Sequence, residues 1–345
     1  MTDELHKFLF EGLPVRGMFV RLAPAWREVQ ARHAQQGAYP PPVNALLGQM
    51  AAAATLMQAN IKFDGALVLQ VFGDGPVKLA VAEARPDLSF RATAKVVGAV
   101  DSEAQLAAMV NLHGKGRCAI TLDPKDKSGG AQPYQGIVAL HGDDGAPLQA
   151  IAQVLEHYML QSEQLDTRLM LAADANVAAG LLIQRLPVEG EGNLEGARRA
   201  AAGPPQGEAA APLGGWPPKA GGGRPVSEDE IGLNEAFNRI ARLASTVTAD
   251  ELLTLDAQTL LRRLFWEETV RRFEPLAPRF VCTCSRERVR GMLRGLGREE
   301  VDSIIAERGT VEIGCDFCGA QYRFDAVDAG DVFTPPADRL PGGHA

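Results

Sequence analysis

Four sulfurs carry the clearest chemistry in this sequence. Of the five cysteines, four form two close pairs, Cys282-x-Cys284 and Cys315-x-x-Cys318, with 30 residues between the pairs. Two close pairs separated by a loop of that size is how a chain places four sulfurs around one tetrahedral zinc, at about 2.3 Å each. Four thiolates fill the coordination shell and leave no position for a water or a substrate, so hydrolytic zinc chemistry is not expected. A purely structural zinc knuckle is the simplest reading. The first pair supports a second one. Zinc ribbons usually carry C-x-x-C on both sides, whereas Cys282-x-Cys284 sets both sulfurs on one face of an extended segment. Thiolates this close can also pair with each other, and a disulfide across one or two residues closes a very small loop and is easily reduced. Such a bond is a poor staple and a good switch, because forming it removes metal ligands. Arg279, Arg286, Arg288, Arg290 and Arg294 crowd this stretch. They either favour thiolate over thiol or form a solvated helix face.

No other constellation in the chain has catalytic character. Gly114-Lys-Gly116 lacks the spacing and the Ser or Thr of a phosphate loop, and Gly73-x-Gly75 lacks the third glycine and following helix of a dinucleotide fold. Cys118 sits inside a strand pattern and reads as a buried, inert core residue. Glu156 beside His157 is either a catalytic pair or a solvated helix face, and the second is the safer reading.

The elements around the four cysteines form a small module. Ser285 can cap a helix carrying Val289, Met292, Leu293 and Leu296, ended by Gly295 or Gly297; a second helix over Glu299 to Glu307 stops at Gly309. Val311 with Ile313, and Tyr322 with Phe324, alternate as strands on either side of the second pair. About 50 residues give a small core, which is not expected to hold without the metal.

From Arg16 to Pro187 short strands mix with amphipathic helices. Gly17 to Leu22 reads as a strand, and Pro41-Pro42 followed by Val43, Leu46, Leu47, Met50, Ala54 and Met57 reads as a helix with one apolar stripe. Ala66 to Val71 and Val77 to Ala82 flank Gly73-Asp-Gly-Pro76, a hairpin signal with positive φ at the turn. Arg117 to Leu122, Gln135 to Leu140, Leu169 to Ala172 and Leu181 to Leu186 are further strands, and Leu148 to Gln161 is a helix. The pattern is that of an α+β domain with much antiparallel sheet. Composition then changes: from Val188 to Val226, 24 of 39 residues are Gly, Pro or Ala. Such a segment buries too little to offset its ordering entropy and reads as a flexible spacer. Order resumes at the capping-box pattern Ser227 to Glu230, before Leu233, Phe237, Ile240 and Leu243 at helical spacing. A further helical stretch carries Leu260, Leu261, Leu264 and Phe265. These helices are short enough to need a partner surface.

The net charge of −8 and a pI near 5.4 argue against nucleic acid or an anionic membrane as the partner. Met1 to Phe10 has early acids and no long apolar core, so it does not read as a signal peptide, and no run approaches the ~18 apolar residues of a membrane span. Four cysteines in metal spacing fit a reducing compartment, and the expected location is the cytoplasm.

Together these residues resemble the redox-regulated heat-shock protein 33 chaperones, which are ATP-independent holdases and not enzymes. The resemblance covers nearly the whole chain outside the Gly- and Pro-rich stretch. It rests on Leu46-Leu47-Gly48, Lys62-Phe63-x-Gly65, Gly73 to Pro76, Tyr134 to Val138, Gln161 to Gln164, Arg263-Leu-Phe265, Cys282-x-Cys284 through Arg288, and Cys315-x-Phe-Cys318. The sequence departs from the family at Gln49, where many members carry Glu, at Asp166, where Pro is frequent, and in its longer linker. The resemblance implies a client-binding domain over 1–186, a linker over 187–280 whose part after 226 is helical and metastable, a zinc-binding redox switch over 281–330, and a tail over 331–345. It also implies one zinc held by Cys282, Cys284, Cys315 and Cys318 in a latent reduced form. Oxidation then gives Cys282–Cys284 and Cys315–Cys318 disulfides with zinc release, unfolded proteins as partners, and a homodimer when oxidised. A zinc-ribbon binding protein would need a basic stripe or stacking aromatics to hold nucleic acid. A thiol–disulfide oxidoreductase would need Cys315-x-x-Cys318 to open a helix after a strand.

Overall fold

In the computed structural model, residues 2–126, 130–186 and 228–334 are described. The spacer expected over Val188 to Val226 and the capping box opening at Ser227 lie outside them. The chain divides into two units, Met1–Val281 and Cys282–Ala345.

The first unit is built around one helix and two sheets. Strands β1 (Glu4–Phe10) and β2 (Val15–Leu22) form a hairpin, followed by α1 (Pro24–Ala34) and α2 (Pro41–Asn60). Next come β3 (Gly65–Phe72), β4 (Val77–Ala84), β5 (Ser89–Val96), the short α3 (Leu106–Val110), β6 (Arg117–Pro124) and β7 (Tyr134–Ala139). Helix α4 (Ile151–Gln161) leads to β8 (Thr167–Ala173) and β9 (Ala178–Arg185).

After residue 227 the chain forms α5 (Glu228–Ala244), α6 (Ala249–Thr254) and α7 (Ala257–Leu264), then the short strands β10 (Val270–Arg272) and β11 (Arg279–Phe280). One sheet has the order β10-β1-β2-β9-β8 and is antiparallel throughout. The other has the order β11-β5-β4-β3-β6-β7, antiparallel except where β11 joins β5.

Helix α2 is not the one-sided helix that its stripe suggests. Its residues are buried around nearly the whole circumference, because it packs on β2, β8 and β9 on one side and on β3, β4 and β5 on the other. A helix enclosed in this way is apolar all round. Small side chains, Ala51 to Ala54, let the sheets approach, and at Gly48 a Cβ would fall 2.5 Å from that of Ala173. Gly73 and Gly75 need correction as well. The β3–β4 hairpin forms, but neither glycine has positive φ. They are glycines for lack of room: a Cβ would lie 2.0 Å from the Val77 carbonyl oxygen at Gly73, and 2.4 Å from that of Met109 at Gly75.

Helices α5 to α7 find their partner surface on the face of the first sheet that points away from α2. Phe237, Ile240, Leu260 and Leu264 bury against Phe8, Phe10, Phe19 and Leu181 there. The helix starts are capped by side chains: Thr248 and Glu251 form a capping box, and Asp256 accepts from the Thr259 N–H at 3.0 Å. No helix among the described residues is long and apolar enough to cross a membrane.

The second unit consists of α8 (Arg286–Leu296), α9 (Arg298–Arg308), the hairpin β12 (Val311–Gly314) and β13 (Gln321–Phe324), and α10 (Ala326–Phe333). Gly297 and Gly309 take φ of 98° and 80° at the helix ends, a conformation that costs glycine little. Its core is Val289, Leu293, Val301, Val311, Phe324, Ala329 and Val332. Helix α10 runs past residue 330, and the Asp325–Asp328 capping box starts it, so Val332 belongs to this core.

Candidate metal centre

One extended segment and one turn bring the sulfurs together. Cys282 and Cys284 lie in the extended segment before α8. Ser285 ends that segment as the α8 cap, accepting from the Arg288 N–H at 3.2 Å, while the Arg288 guanidinium reaches back to the Thr283 hydroxyl at 2.7 Å. Cys315 and Cys318 sit in the turn between β12 and β13. There the Cys315 carbonyl accepts from Cys318 N at 3.3 Å and from Gly319 N at 2.8 Å, and Gly319 takes φ of 76°. This is a tight knuckle whose last residue must be left-handed.

The four Sγ atoms all lie within 4.8 Å of one another. The short contacts run between the pairs, Cys282 to Cys315 at 3.6 Å and Cys284 to Cys318 at 3.3 Å. A tetrahedron with metal–sulfur bonds of about 2.3 Å has edges of about 3.8 Å; the two short contacts fall just below that value, and all the separations stay within 4.8 Å. All four cysteines are unbridged, Cys318 is buried and the other three are half-buried. The residues therefore fit a metal ion, and four sulfur donors suit a thiophilic one. A closed set of this kind has no open coordination position.

The electrostatics come from a residue that the spacing of cysteines does not reveal. The Tyr322 hydroxyl donates to Cys284 Sγ at 3.1 Å. In the metal-free thiols, burial alone would push Cys284 up, but this hydrogen bond and those from the neighbouring sulfurs bring it down to about 7. Burial pushes Cys315 and Cys318 up. The same contact to Cys284 raises the Tyr322 phenol to about 12. Tyr322 shares its side of β13 with the buried Phe324, two residues on, and that alternation was the available signal.

The arginines have other partners. Arg286 pairs with Asp328 at 2.7 Å and lies 4.3 Å from the centre of the Phe324 ring. Arg294 donates to the Val332 carbonyl at 2.9 Å, and Arg279 pairs with Asp87. Each anchors structure. Cys118 is fully buried in β6, where burial pushes its thiol up to about 12. Glu156 and His157 form no pair with each other: Glu156 binds Arg168 and the Leu169 N–H, both at 2.7 Å, and His157 faces Asp143 at 3.9 Å.

Comparison with known proteins gives the family. The family model described as Hsp33 protein matches residues 3–325. The 33 kDa chaperonin of Chromobacterium violaceum is 44% identical over 332 residues, covering 96% of this chain and 94% of that protein. That of Methylobacillus flagellatus is 42% identical over 335 residues, covering 97% and 95%. The crystal structure of the 33 kDa chaperonin of Thermotoga maritima superposes with a TM-score of 0.65 at 18% identity, covering 95% of this chain and 97% of that one, and so shares the fold. With a family match across nearly its whole length and relatives of this similarity, the chain belongs to the Hsp33 family of chaperones.

Proposed function

We propose that the protein is a redox-regulated, ATP-independent holdase whose latent form holds one zinc ion on Cys282, Cys284, Cys315 and Cys318. The observation that carries this reading is the gathering of four unbridged sulfurs within 4.8 Å in a chain of a chaperone family. Bound there, zinc supplies the charge that lets four thiolates sit together, worth about 10–16 kcal/mol of folding free energy. A small domain's whole margin is roughly 5 kcal/mol. The core of the second unit is too small to stand without that contribution.

Activation starts at the sulfurs. A thiolate attacks peroxide, breaking the O–O bond to give a sulfenic acid and hydroxide; the neighbouring thiolate then displaces a second hydroxide to form a disulfide. Each bond takes two electrons from sulfur and consumes one peroxide. Pairing Cys282 with Cys284 and Cys315 with Cys318 removes all four ligands. It also reorganises the backbone at Cys282, next to Val281, whose N–H donates to the Phe90 carbonyl at 3.1 Å. Disturbance there loosens the end of the segment that carries α5 to α7, and the apolar surface between those helices and the first sheet becomes available to unfolding proteins.

On this reading residues 1–186 bind clients, 187–280 form the metastable linker and 281–330 the switch, with α10 extending the switch into the proposed tail over 331–345. The protein works in the cytoplasm, forms a homodimer when oxidised, and takes neither nucleic acid nor a membrane as partner, in keeping with its net charge of −8. Thiol–disulfide exchange on substrates is the less favoured reading, because Cys315 to Cys318 turns between β12 and β13 and opens no helix.

The test is light scattering of an aggregating client with reduced protein, oxidised protein, and oxidised protein returned to thiol and zinc. Suppression by the oxidised form alone is expected. Equal suppression by the reduced form with its zinc retained would leave only a structural metal site.

A further inference from the structure

Between α7 and the first cysteine pair the chain is extended, and from Thr269 to Val281 it runs as a strap along the open edges of both sheets. On β1 it closes the edge almost end to end. Glu11 N donates to the Thr269 carbonyl at 2.9 Å, Phe273 N donates to that of Lys7 at 3.0 Å, and Leu5 and Leu276 exchange hydrogen bonds of 2.8 and 2.9 Å. Strand β10 lies between these contacts, with Phe8 opposite Arg272 and Phe10 opposite Val270. The strap then crosses to β5, where Arg279 N donates to the Leu88 carbonyl and Val281 N to that of Phe90, both at 3.1 Å. Its next residue is Cys282.

The two partners at this edge differ in character. Leu5-His-Lys-Phe-Leu-Phe10 is a β-prone apolar strand without Gly or Pro, the kind of segment that pairs with other chains when its edge is bare. The strap opposite it carries Arg271, Arg272, Glu274, Pro275 and Pro278, the charges and prolines that keep an edge from recruiting further strands. Under the edge, Phe8 and Phe10 point into the core shared with α7, where Phe265 packs edge-on to Phe10 at 4.9 Å and 6.3 Å from Phe8. Strap and aromatic plug are parts of one linker segment, so they leave together.

We infer that the outer edge of β1 is a concealed strand-addition site, and that an extended segment of an unfolded client takes the place of the strap on it. The inference rests on the holdase reading and specifies how the client is held. Backbone N–H and C=O groups freed at Leu5, Lys7 and Glu11 pair with the client's main chain whatever its sequence, which suits a chaperone that must accept many clients. Alternate client side chains fall on the surface that Phe265 vacates, so segments alternating apolar with polar residues bind best.

The Leu5 and Glu11 amides report this directly, because both donate to the strap. Their hydrogen exchange is followed in the full chain in the reduced zinc-loaded form, in the oxidised form, and in the oxidised form with a short peptide alternating Val and Lys. A control peptide carries Pro at its central Val, and light scattering on the same samples records holdase activity. Exchange at both amides accelerates by about tenfold or more on oxidation and returns with the alternating peptide but not with the Pro peptide. If the oxidised protein suppresses aggregation while these amides stay protected throughout, or stay fast with peptide, clients bind elsewhere and the proposal is overturned. Renewed protection without peptide that grows with protein concentration assigns the edge to a second copy of this chain and overturns it equally. Absence of holdase activity would instead remove the functional reading on which the proposal rests.

Discussion

The phenolic hydroxyl of Tyr322 donates its hydrogen bond to the sulfur of Cys284 across 3.1 Å. A donor aimed at a ligand sulfur stabilises the thiolate that the metal requires, and loss of such a supporting group costs about 10–100-fold in metal affinity. Tyr322→Phe is therefore expected to bind one zinc per chain but to surrender it to a competing chelator at about tenfold lower concentration. Unchanged affinity in the competition titration would show that the contact does not support the site.

Serine at any one of positions 282, 284, 315 and 318 leaves three sulfurs and opens the shell. Metal analysis of purified protein should find tight zinc lost in each of the four variants. Cys118→Ser should keep it, because this residue lies in β6 and takes no part in the cluster. The hydroxyl it buries is expected to lower the stability of the first unit by about 1–3 kcal/mol. Tight zinc surviving in Cys284→Ser would contradict the four-sulfur assignment.

What the sequence made legible was local. The close cysteine pairs, the serine cap before α8 and the glycines after α8 and α9 each state their own conformation within a few residues. What stayed hidden depends on partners far along the chain. Strand β1 shows no clean alternation because both its faces are covered, Leu5 entering the core around α2 while Phe8 and Phe10 enter the one under α5 to α7. Helix α2 reads as amphipathic until both sheets are known to enclose it. Tyr322 becomes a site residue only when β13 is placed beside the segment before α8. The helix α10 was hidden for a different reason: its capping pair, Asp325 and Asp328, follows directly on the last strand inside the expected switch, and the helix then runs to Phe333, into the tail expected over 331–345.

Phe265 is 2% exposed and fills the space beside Phe8 and Phe10. Truncating a buried ring of this kind costs about 3–5 kcal/mol, and here the loss falls on the packing of α5 to α7 against the first sheet. Phe265→Ala should therefore suppress client aggregation partly even when reduced, with its zinc retained. A variant as inactive as the parent in light scattering, at equal zinc content, would show that this interface does not restrain activity.

Burial holds the His33 imidazole below its ordinary value, with the ring edge-on to Tyr39 at 4.9 Å. The unfolded chain therefore takes up this proton first as pH falls below about 6.5. By linkage, stability is full above that pH, declines as pH drops toward the folded-state value, and levels off below it. His33→Gln should flatten this part of the curve in denaturant unfolding between pH 7 and pH 5, about where an ordinary histidine titrates. An identical slope in both proteins would mean that another group sets the acid dependence.

The most direct test of the switch is the native mass of the full chain before and after treatment with peroxide. The reduced protein should carry one zinc ion. The oxidised protein should have lost that ion and be four hydrogens lighter than the reduced zinc-free chain, with disulfide mapping joining Cys282 to Cys284 and Cys315 to Cys318 and leaving Cys118 as a thiol. A chain that keeps its zinc through oxidation, or that gains oxygen atoms without forming either disulfide, would contradict the account.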